Sequence, residues 1–183
     1  QAATQVAKKD WTVLVYMVSD NDLFPFSASD RIEMEQVGSN DRLNIIIQVD
    51  GLGPDTKTQR LFVEKGASYS VGDNLEKIDS GSSQSLIDFF EFVLEQYPAE
   101  HYALILWNHG SGILYPSRGR PFNVADLFAV NEKTGWLELS RKISFNTFLQ
   151  KRGICFNDTF GTYLNNQTLE NALSAINSKL GRR

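Results

Sequence analysis

The sequence predicts an α/β fold with a mostly parallel sheet and helices on both of its faces. Three apolar runs, residues 11–18, 43–49 and 102–107, are rich in β-branched and aromatic side chains, which is typical of strands buried on both faces. Segments with apolar residues at helical spacing lie between these runs, and strand, helix, strand is the order of a parallel crossover unit. A chain of 183 residues is long enough for one such domain with a sizeable core.

The first crossover unit occupies the N-terminal part of the chain. Trp11 to Val18 is a nearly unbroken apolar strand, and the turn and capping residues Ser19-Asp20-Asn21-Asp22 follow it. A pattern compatible with a helix extends from about Ser27 to Val37. Leu43 to Val49 is the second buried strand, and it runs into Asp50-Gly51. Both strands therefore end in polar residues at the sheet edge where the ligands and catalytic groups of open α/β folds gather.

The middle of the chain predicts a short strand, a loop and a helix before the third buried strand. Arg60 to Glu64 is more polar than the other strands, and we expect it at an edge of the sheet. A loop rich in Gly, Ser and Asp then extends to Ser83. Apolar residues at helical spacing predict a helix from Ser85 to Tyr97, which Pro98 ends. Tyr102 to Trp107 is the third buried strand.

The C-terminal part of the chain begins with a long stretch that has no regular periodicity. This stretch runs from Ser111 to Gly153, and connections of such length usually serve a function. Ile154 to Leu164 predicts a small hairpin. Gln167 to Ile176 predicts an amphipathic helix, with Asn165 or Asn166 as its cap.

The composition excludes several classes of function. A net charge of -4 with no basic stripe argues against nucleic acid or an anionic membrane as a partner, because both require clustered Lys and Arg. Cys155 is the only cysteine, which excludes an intrachain disulfide and a thiolate zinc site. No apolar run approaches the roughly 20 residues that span a bilayer, and residues 1–9 lack the apolar core of a signal peptide. We therefore expect a cytosolic protein or one whose targeting segment has been removed.

The candidate catalytic group is His109, which follows the third apolar strand in the run Trp107-Asn108-His109-Gly110-Ser111-Gly112. Gly110 allows a substrate to approach the backbone, so that an imidazole base lies beside an N–H donor for an oxyanion. A histidine at a strand end is also compatible with a turn or hydrogen-bonding role, and the residues alone leave both interpretations open. His101 lies at the other end of the same strand, roughly 26 Å away when the strand is extended, so the two histidines cannot share a metal ion.

Other catalytic motifs are absent from the sequence. Tyr115 stands where G-x-G-x-x-G requires its third glycine, and no phosphate-loop lysine follows. No serine has the G-x-S-x-G context of an α/β-hydrolase nucleophile. Cysteine catalysis remains, and it requires a thiolate near the imidazole. Cys155 is the only candidate within the chain, but its alternating surroundings favour a small, buried or half-buried residue.

Four segments, in order along the chain, resemble the clostripain-like cysteine peptidases. Trp11 to Leu23 resembles the opening strand of the family, and Tyr97 to Gly112 resembles its histidine strand. Ile154 to Asp158 and Tyr163 to Leu173 resemble the segment and the helix that precede the catalytic cysteine of the family. The resemblance implies a caspase-like, three-layer α/β sandwich, of which this chain supplies the N-terminal part.

The resemblance also implies roles for individual residues. His109 is the general base or the imidazolium partner of the thiolate, and the N–H of Gly110 is an oxyanion donor. The nucleophilic cysteine belongs to a strand that is absent here and lies on the heavy chain of the same precursor, with Arg183 as the processing site. Asn21 and Asp22 are candidates for lining the substrate pocket or orienting the histidine, and capping the following helix is an equally good role for them.

In this interpretation residues 1–10 are an N-terminal extension, and residues 11–183 are the light-chain part of one peptidase domain. The expected function is that of a secreted or envelope-located bacterial endopeptidase that cleaves after Arg or Lys and is active only with its heavy chain. We expect no cofactor to be required from this chain and no metal site, although the family makes Ca²⁺ possible, with oxygens from loops such as Asp20-Asn21-Asp22. The alternatives are a non-catalytic binding or scaffold module and a self-contained enzyme that uses Cys155.

Overall fold

The structure of the protein is a computed structural model, and it describes residues 8–73, 75–110, 128–131, 133–134, 137–139 and 153–181. The first part of the chain forms β1 (Lys9–Met17), α1 (Phe24–Val37), β2 (Leu43–Val49), β3 (Gln59–Glu64) and β4 (Ala67–Ser70). It continues with α2 (Ser83–Gln96) and β5 (Ala99–Trp107). The later part forms β6 (Phe128–Val130), β7 (Leu137–Leu139), β8 (Gly153–Asn157), β9 (Thr162–Asn165) and α3 (Asn166–Lys179).

Five strands form the central sheet in the order β4-β3-β2-β1-β5. The strand β1 lies between β2 and β5 and pairs in parallel with both. The strands β3 and β4 continue the sheet beyond β2 in antiparallel pairs. The three apolar runs therefore form the parallel half of the sheet, as the sequence predicts. Because they are parallel, their carboxyl ends emerge side by side at one edge.

Helices cover both faces of the sheet, which makes three layers. The helices α2 and α3 pack on the face that carries the even-numbered residues of β1, and α1 packs on the opposite face. The first core contains Leu14, Tyr16, Val18, Ile46, Leu86, Phe89, Phe90, Val93, Leu164 and Ile176. The second is smaller and contains Val15, Met17, Ile45, Ile47, Leu61 and Val63. An α/β sandwich of the caspase-like type is confirmed by this architecture together with the solved relatives described below.

Local signals explain where the helices begin. The helix α1 starts at Phe24, earlier than the predicted Ser27, because Pro25 is well tolerated in a first turn. The helix α2 starts after Ser82, whose side chain accepts a hydrogen bond from the Ser85 N–H. The helix α3 has a capping box between Asn165 and Thr168, which confirms the expected cap.

Two expectations about the sheet edges were wrong. The segment at Arg60 to Glu64 was expected at an edge, but β3 lies inside the sheet, because β4 forms within the supposed loop and pairs with it. The strand β5 was expected to be buried on both faces, but among the described residues it is the last strand of the sheet, and Ile105 is 47% exposed. Its apolar composition is that of an interior strand, although no further described strand pairs with its outer edge.

The segments β8 and β9 form the predicted hairpin, with an irregularity between Ile154 and Asn157. The hairpin contacts β5, and an isolated antiparallel bridge joins Gly110 to Ile154. The hairpin therefore packs against the segment that carries His109. No helix within the described ranges has the length and apolar character of a membrane span.

Candidate active site

The candidate active site lies where β1, β2 and β5 end. Asp20 follows β1, Asp50 follows β2, and His109 follows β5. The parallel pairing of the three strands brings these positions to the same edge of the sheet, although they are far apart in the sequence.

His109 is held at the surface by a carboxylate from the loop after β1. Its side chain is 50% exposed, and its Nε2 atom lies 2.8 Å from Oδ1 of Asp22. Gly110 follows at the surface, and a methyl group added at its Cα would contact nothing within 4 Å. The site thus offers an accessible imidazole beside a stretch of backbone that is open to solvent.

Two side-chain amides, from the buried Asn21 and the partly buried Asn108, anchor the backbone just before these surface residues. The Oδ1 atom of Asn108 accepts a hydrogen bond from the Phe156 N–H at 2.9 Å, and its Nδ2 group donates to the Phe156 carbonyl at 3.2 Å and to the Val18 carbonyl. The Nδ2 group of Asn21 also donates to the Phe156 carbonyl, at 2.7 Å, while its Oδ1 atom accepts from the Leu23 N–H at 2.9 Å. The amides tie the ends of β1 and β5 to the hairpin.

A buried ion cluster lies deeper in the same edge. The Nζ atom of Lys77 is 3.1 Å from Oδ2 of Asp20 and 3.0 Å from Oδ1 of Asp50, and it also donates to the Gly51 carbonyl. The second oxygen of Asp50 accepts from the Asn157 amide at 2.7 Å. Since all three charged side chains are almost completely buried, the ammonium group cross-links the ends of β1 and β2.

The two carboxyl groups of this cluster are shifted in opposite directions. Burial favours the neutral acid in both, and it raises the pKa of Asp50 although Lys77 opposes the effect. Burial also acts on Asp20, but hydrogen bonds from Thr159 and Gly53, together with the Lys77 ammonium, outweigh it and lower its pKa. Asp20 is therefore the more firmly ionised partner of the ammonium.

Cys155 lies in the core between the sheet and its helices. Its side chain is fully buried, and burial raises the pKa of its thiol to about 12. Its φ of 61° lies in the left-handed region, at the irregularity of the hairpin. A thiol that is protonated and closed to solvent is a structural residue in this conformation.

The predicted site residues lie in different places in the structure. His109, Gly110 and Asp22 come together at the surface. Asn21 is buried, and its amide belongs to the network beneath the site. Arg183 lies outside the described residues.

Sequence reasoning missed two supporting residues. Asn108 belongs to the histidine motif, and a polar side chain directly after an apolar strand was an available signal for its role. No local signal marked Lys77, because its acidic partners lie on other segments.

The acidic side chains near the candidate site have partners within the protein. No group of three or more His, Cys, Asp or Glu side chains is arranged there to hold an ion. The loop considered for Ca²⁺ does not form an oxygen cage, because Asp20 is bound by Lys77 and Asp22 faces His109.

Comparison with known families identifies the family of the chain. The profile of the clostripain family matches residues 15–126, which is more than half of the sequence. The chain therefore belongs to the clostripain family. The matched region contains both His109 and Asp22 but not Cys155.

Solved structures show the same fold. A cysteine protease of B. fragilis is 25% identical, with a TM-score of 0.50, and the match covers 61% of this chain and 98% of that one. A secreted C11 cysteine protease from Bacteroides thetaiotaomicron, in complex with an irreversible peptide inhibitor, is 22% identical, with a TM-score of 0.58. An inactive zymogen C11 protease from Parabacteroides distasonis is 24% identical over 60% of this chain, with a TM-score of 0.51.

The length of the match differs among these relatives. The match to the secreted B. thetaiotaomicron protease covers 91% of this chain but only 39% of that protease. The match to the P. distasonis zymogen covers 33% of the zymogen. A search of curated proteins found no match.

Proposed function

We propose that the protein is a cysteine endopeptidase in which His109 is the general base and the N–H of Gly110 stabilises the oxyanion. The observation that carries the proposal is an exposed imidazole at the carboxyl end of β5, held by Asp22 beside an open glycine backbone. Membership of the clostripain family supports it, because the matched region includes this site. The alternative of a turn residue is weaker, since a turn does not require an exposed ring held by a carboxylate.

The arrangement suits acyl transfer. A cysteine thiol gives its proton to the imidazole, and the thiolate sulfur attacks the carbonyl carbon of the substrate. The carbonyl oxygen becomes an oxyanion, which a backbone N–H stabilises. The imidazolium then protonates the leaving amine as the C–N bond breaks. Water, deprotonated by the same imidazole, releases the acyl group and restores the thiol.

We assign the nucleophilic cysteine to a second polypeptide, the heavy chain, rather than to Cys155. The thiol of Cys155 is fully buried in the core, and its pKa of about 12 leaves almost no thiolate near neutral pH. Using it would require the hairpin to leave the frame built by Asn108 and Asn21.

The outer edge of β5 supports a partner that continues the sheet. The strand is apolar and its Ile105 is 47% exposed, and no further described strand pairs with its outer edge. An apolar edge strand with unpaired backbone groups is unfavourable unless another strand covers it. A strand of the heavy chain that paired in parallel with β5 there would end beside His109.

The comparisons add support for two chains. The match spans nearly the whole B. fragilis chain but only about two fifths of the secreted B. thetaiotaomicron protease. The region of this fold thus occurs both as a short separate chain and as part of a longer one. This agrees with processing of a precursor.

The proposed substrates are peptides and proteins with Arg or Lys before the scissile bond, as the family resemblance suggests. Recognition of such a side chain requires a carboxylate in the pocket, which we expect on the heavy chain. A secreted or envelope location is proposed in keeping with the secreted relative.

The test is hydrolysis of arginyl and lysyl peptide amides by the protein produced from its complete gene. We expect wild-type activity, loss of activity by His109→Ala to background, and activity of Cys155→Ser within a few-fold of wild type. Intact-mass analysis should find a second polypeptide that is alkylated by an arginyl chloromethyl ketone.

Three results would contradict the proposal. Activity retained by His109→Ala would show that His109 is not the general base. Alkylation of wild type but not of Cys155→Ser would make Cys155 the nucleophile. A protein that binds peptides without hydrolysing any of them would be a non-catalytic scaffold, the alternative that a chain with only a buried thiol leaves open.

A further inference from the structure

The carboxylate of Asp22 contacts the imidazole from a neighbouring strand. Asp22 follows β1 and His109 follows β5, and Oδ1 lies 2.8 Å from Nε2 although 87 residues separate the two positions. The Asp22 side chain is 81% exposed, and ion pairs at such exposure contribute little to folding stability. A role in stability therefore does not explain the contact.

The residues that precede Asp22 and His109 hold the backbone of the pair in place. The residue before Asp22 is Asn21, whose amide binds the Phe156 carbonyl, and the residue before His109 is Asn108, whose amide binds both backbone groups of Phe156. Both anchors are at least half-buried. The two surface side chains thus start from backbones that share one fixed point, which lowers the entropy cost of keeping them in contact.

The chemistry of the contact selects one form of the ring. An ionised carboxylate can only accept hydrogen bonds, and a neutral imidazole has one donor and one acceptor nitrogen. With Nε2 donating to Asp22, the proton is on Nε2 and the lone pair is on Nδ1. A base must present its lone pair to the proton that it removes.

We propose that Asp22 is a positioning residue that holds His109 as the Nε2–H tautomer, so that Nδ1 is the nitrogen that receives the thiol proton. This inference rests on the proposed peptidase function. Of the roles expected for Asp22, it selects orientation of the base over lining of the substrate pocket and capping of the helix, and it specifies the nitrogen involved. Substrate binding does not depend on it, whereas the rate of the chemical step does.

The test compares Asp22→Ala, Asp22→Asn and Glu76→Ala in enzyme produced from the complete gene. Glu76 is a matched control, because its carboxylate is 83% exposed and forms an ion pair with Lys57 away from His109. We expect Asp22→Ala to lower kcat roughly 10- to 100-fold with KM within about two-fold. Asp22→Asn, which keeps an oxygen acceptor, should recover part of the rate, and Glu76→Ala should match wild type.

A spectroscopic readout separates positioning from a general structural effect. The ¹⁵N signals of the His109 ring can be assigned as those that disappear in a His109→Gln variant. We expect the Nε2–H form in wild type and a mixture of tautomers in Asp22→Ala, with an unchanged unfolding midpoint. An Asp22→Ala enzyme with full kcat, or with an unchanged Nε2–H ring, would overturn the inference while wild-type activity upholds the proposed function. Absence of hydrolysis in the wild type would instead overturn both.

Discussion

Asp20 and Asp22 lie two residues apart in the loop after β1, yet the fold gives them opposite surroundings. Asp20 is 1% exposed and bonded to Lys77, Gly53 and Thr159, whereas Asp22 is at the surface and touches only the ring of His109 among its hydrogen-bonding contacts in the described residues. The first carboxylate belongs to a frame that holds strand ends together. The second belongs to the surface where chemistry is proposed. Two carboxylates of one acidic run therefore have different surroundings, one in the buried ion cluster and one at the candidate site.

The largest effect on stability is expected from removal of the buried cation. In Lys77→Met the side-chain stem keeps its packing, but Asp20 and Asp50 lose their ammonium partner in a buried environment. Breaking a buried ion pair in this way costs about 3–5 kcal/mol. Urea unfolding monitored by circular dichroism measures the change in the free energy of unfolding.

The matched control is Lys57→Met, because Lys57 and Glu76 form an exposed ion pair. Its expected cost is about 1 kcal/mol or less. If Lys77→Met cost no more than this control, the buried ion cluster would contribute no more to folding stability than an exposed ion pair.

A smaller effect is expected from Asn108→Ala. The variant leaves the partly buried Phe156 N–H without its side-chain acceptor, whereas the Phe156 and Val18 carbonyls still accept from Asn21. An unsatisfied buried donor costs about 1–3 kcal/mol. Because His109 is the next residue, we also expect a fall in kcat for arginyl amides. The measurements are urea unfolding and steady-state kinetics.

Asn171→Ala is a suitable control for this variant, since Asn171 bonds only to Gln167 on the exposed surface of α3 among the hydrogen bonds described. A loss of stability without any loss of kcat would separate the frame from the orientation of His109. Full activity in Asn108→Ala would thus weaken the link between the two regions.

The smallest effect concerns the buried thiol. Burial raises the pKa of Cys155 from 9.0 to about 12, so the folded state keeps its proton while the unfolded state ionises above pH 9. The unfolded state then binds fewer protons, and stability falls as pH rises through this range. Between pH 8 and pH 10 the loss is about 1.4 kcal/mol.

Cys155→Ala removes this contribution, so the stability of wild type should fall more steeply with pH than that of the variant. Unfolding curves at pH 8 and pH 10 for both proteins measure the difference. Equal slopes would mean that the thiol ionises in the folded state as it does in the unfolded chain, which would revive Cys155 as a nucleophile.

Much of the fold was predictable because the signals are local. The bounds of β2 were predicted as observed, and the cap of α3 at Asn165 was readable from residue types. His109 was identified from its position after an apolar strand and from the resemblance to the clostripain family. Each of these features depends on neighbours in the sequence.

The sequence predicted the three parallel strands and the three helices, and together with the family resemblance it indicated His109 as the candidate catalytic residue. The tertiary structure was needed to show that β4 rather than β3 is an edge strand of the sheet. It was also needed to show that Asp20 is buried while Asp22 contacts His109. The physical reason is that periodicity records the environment of a residue on its own segment. Pairing between β1 and β5, and the choice of partner for each carboxylate, depends on contacts between residues far apart in the chain.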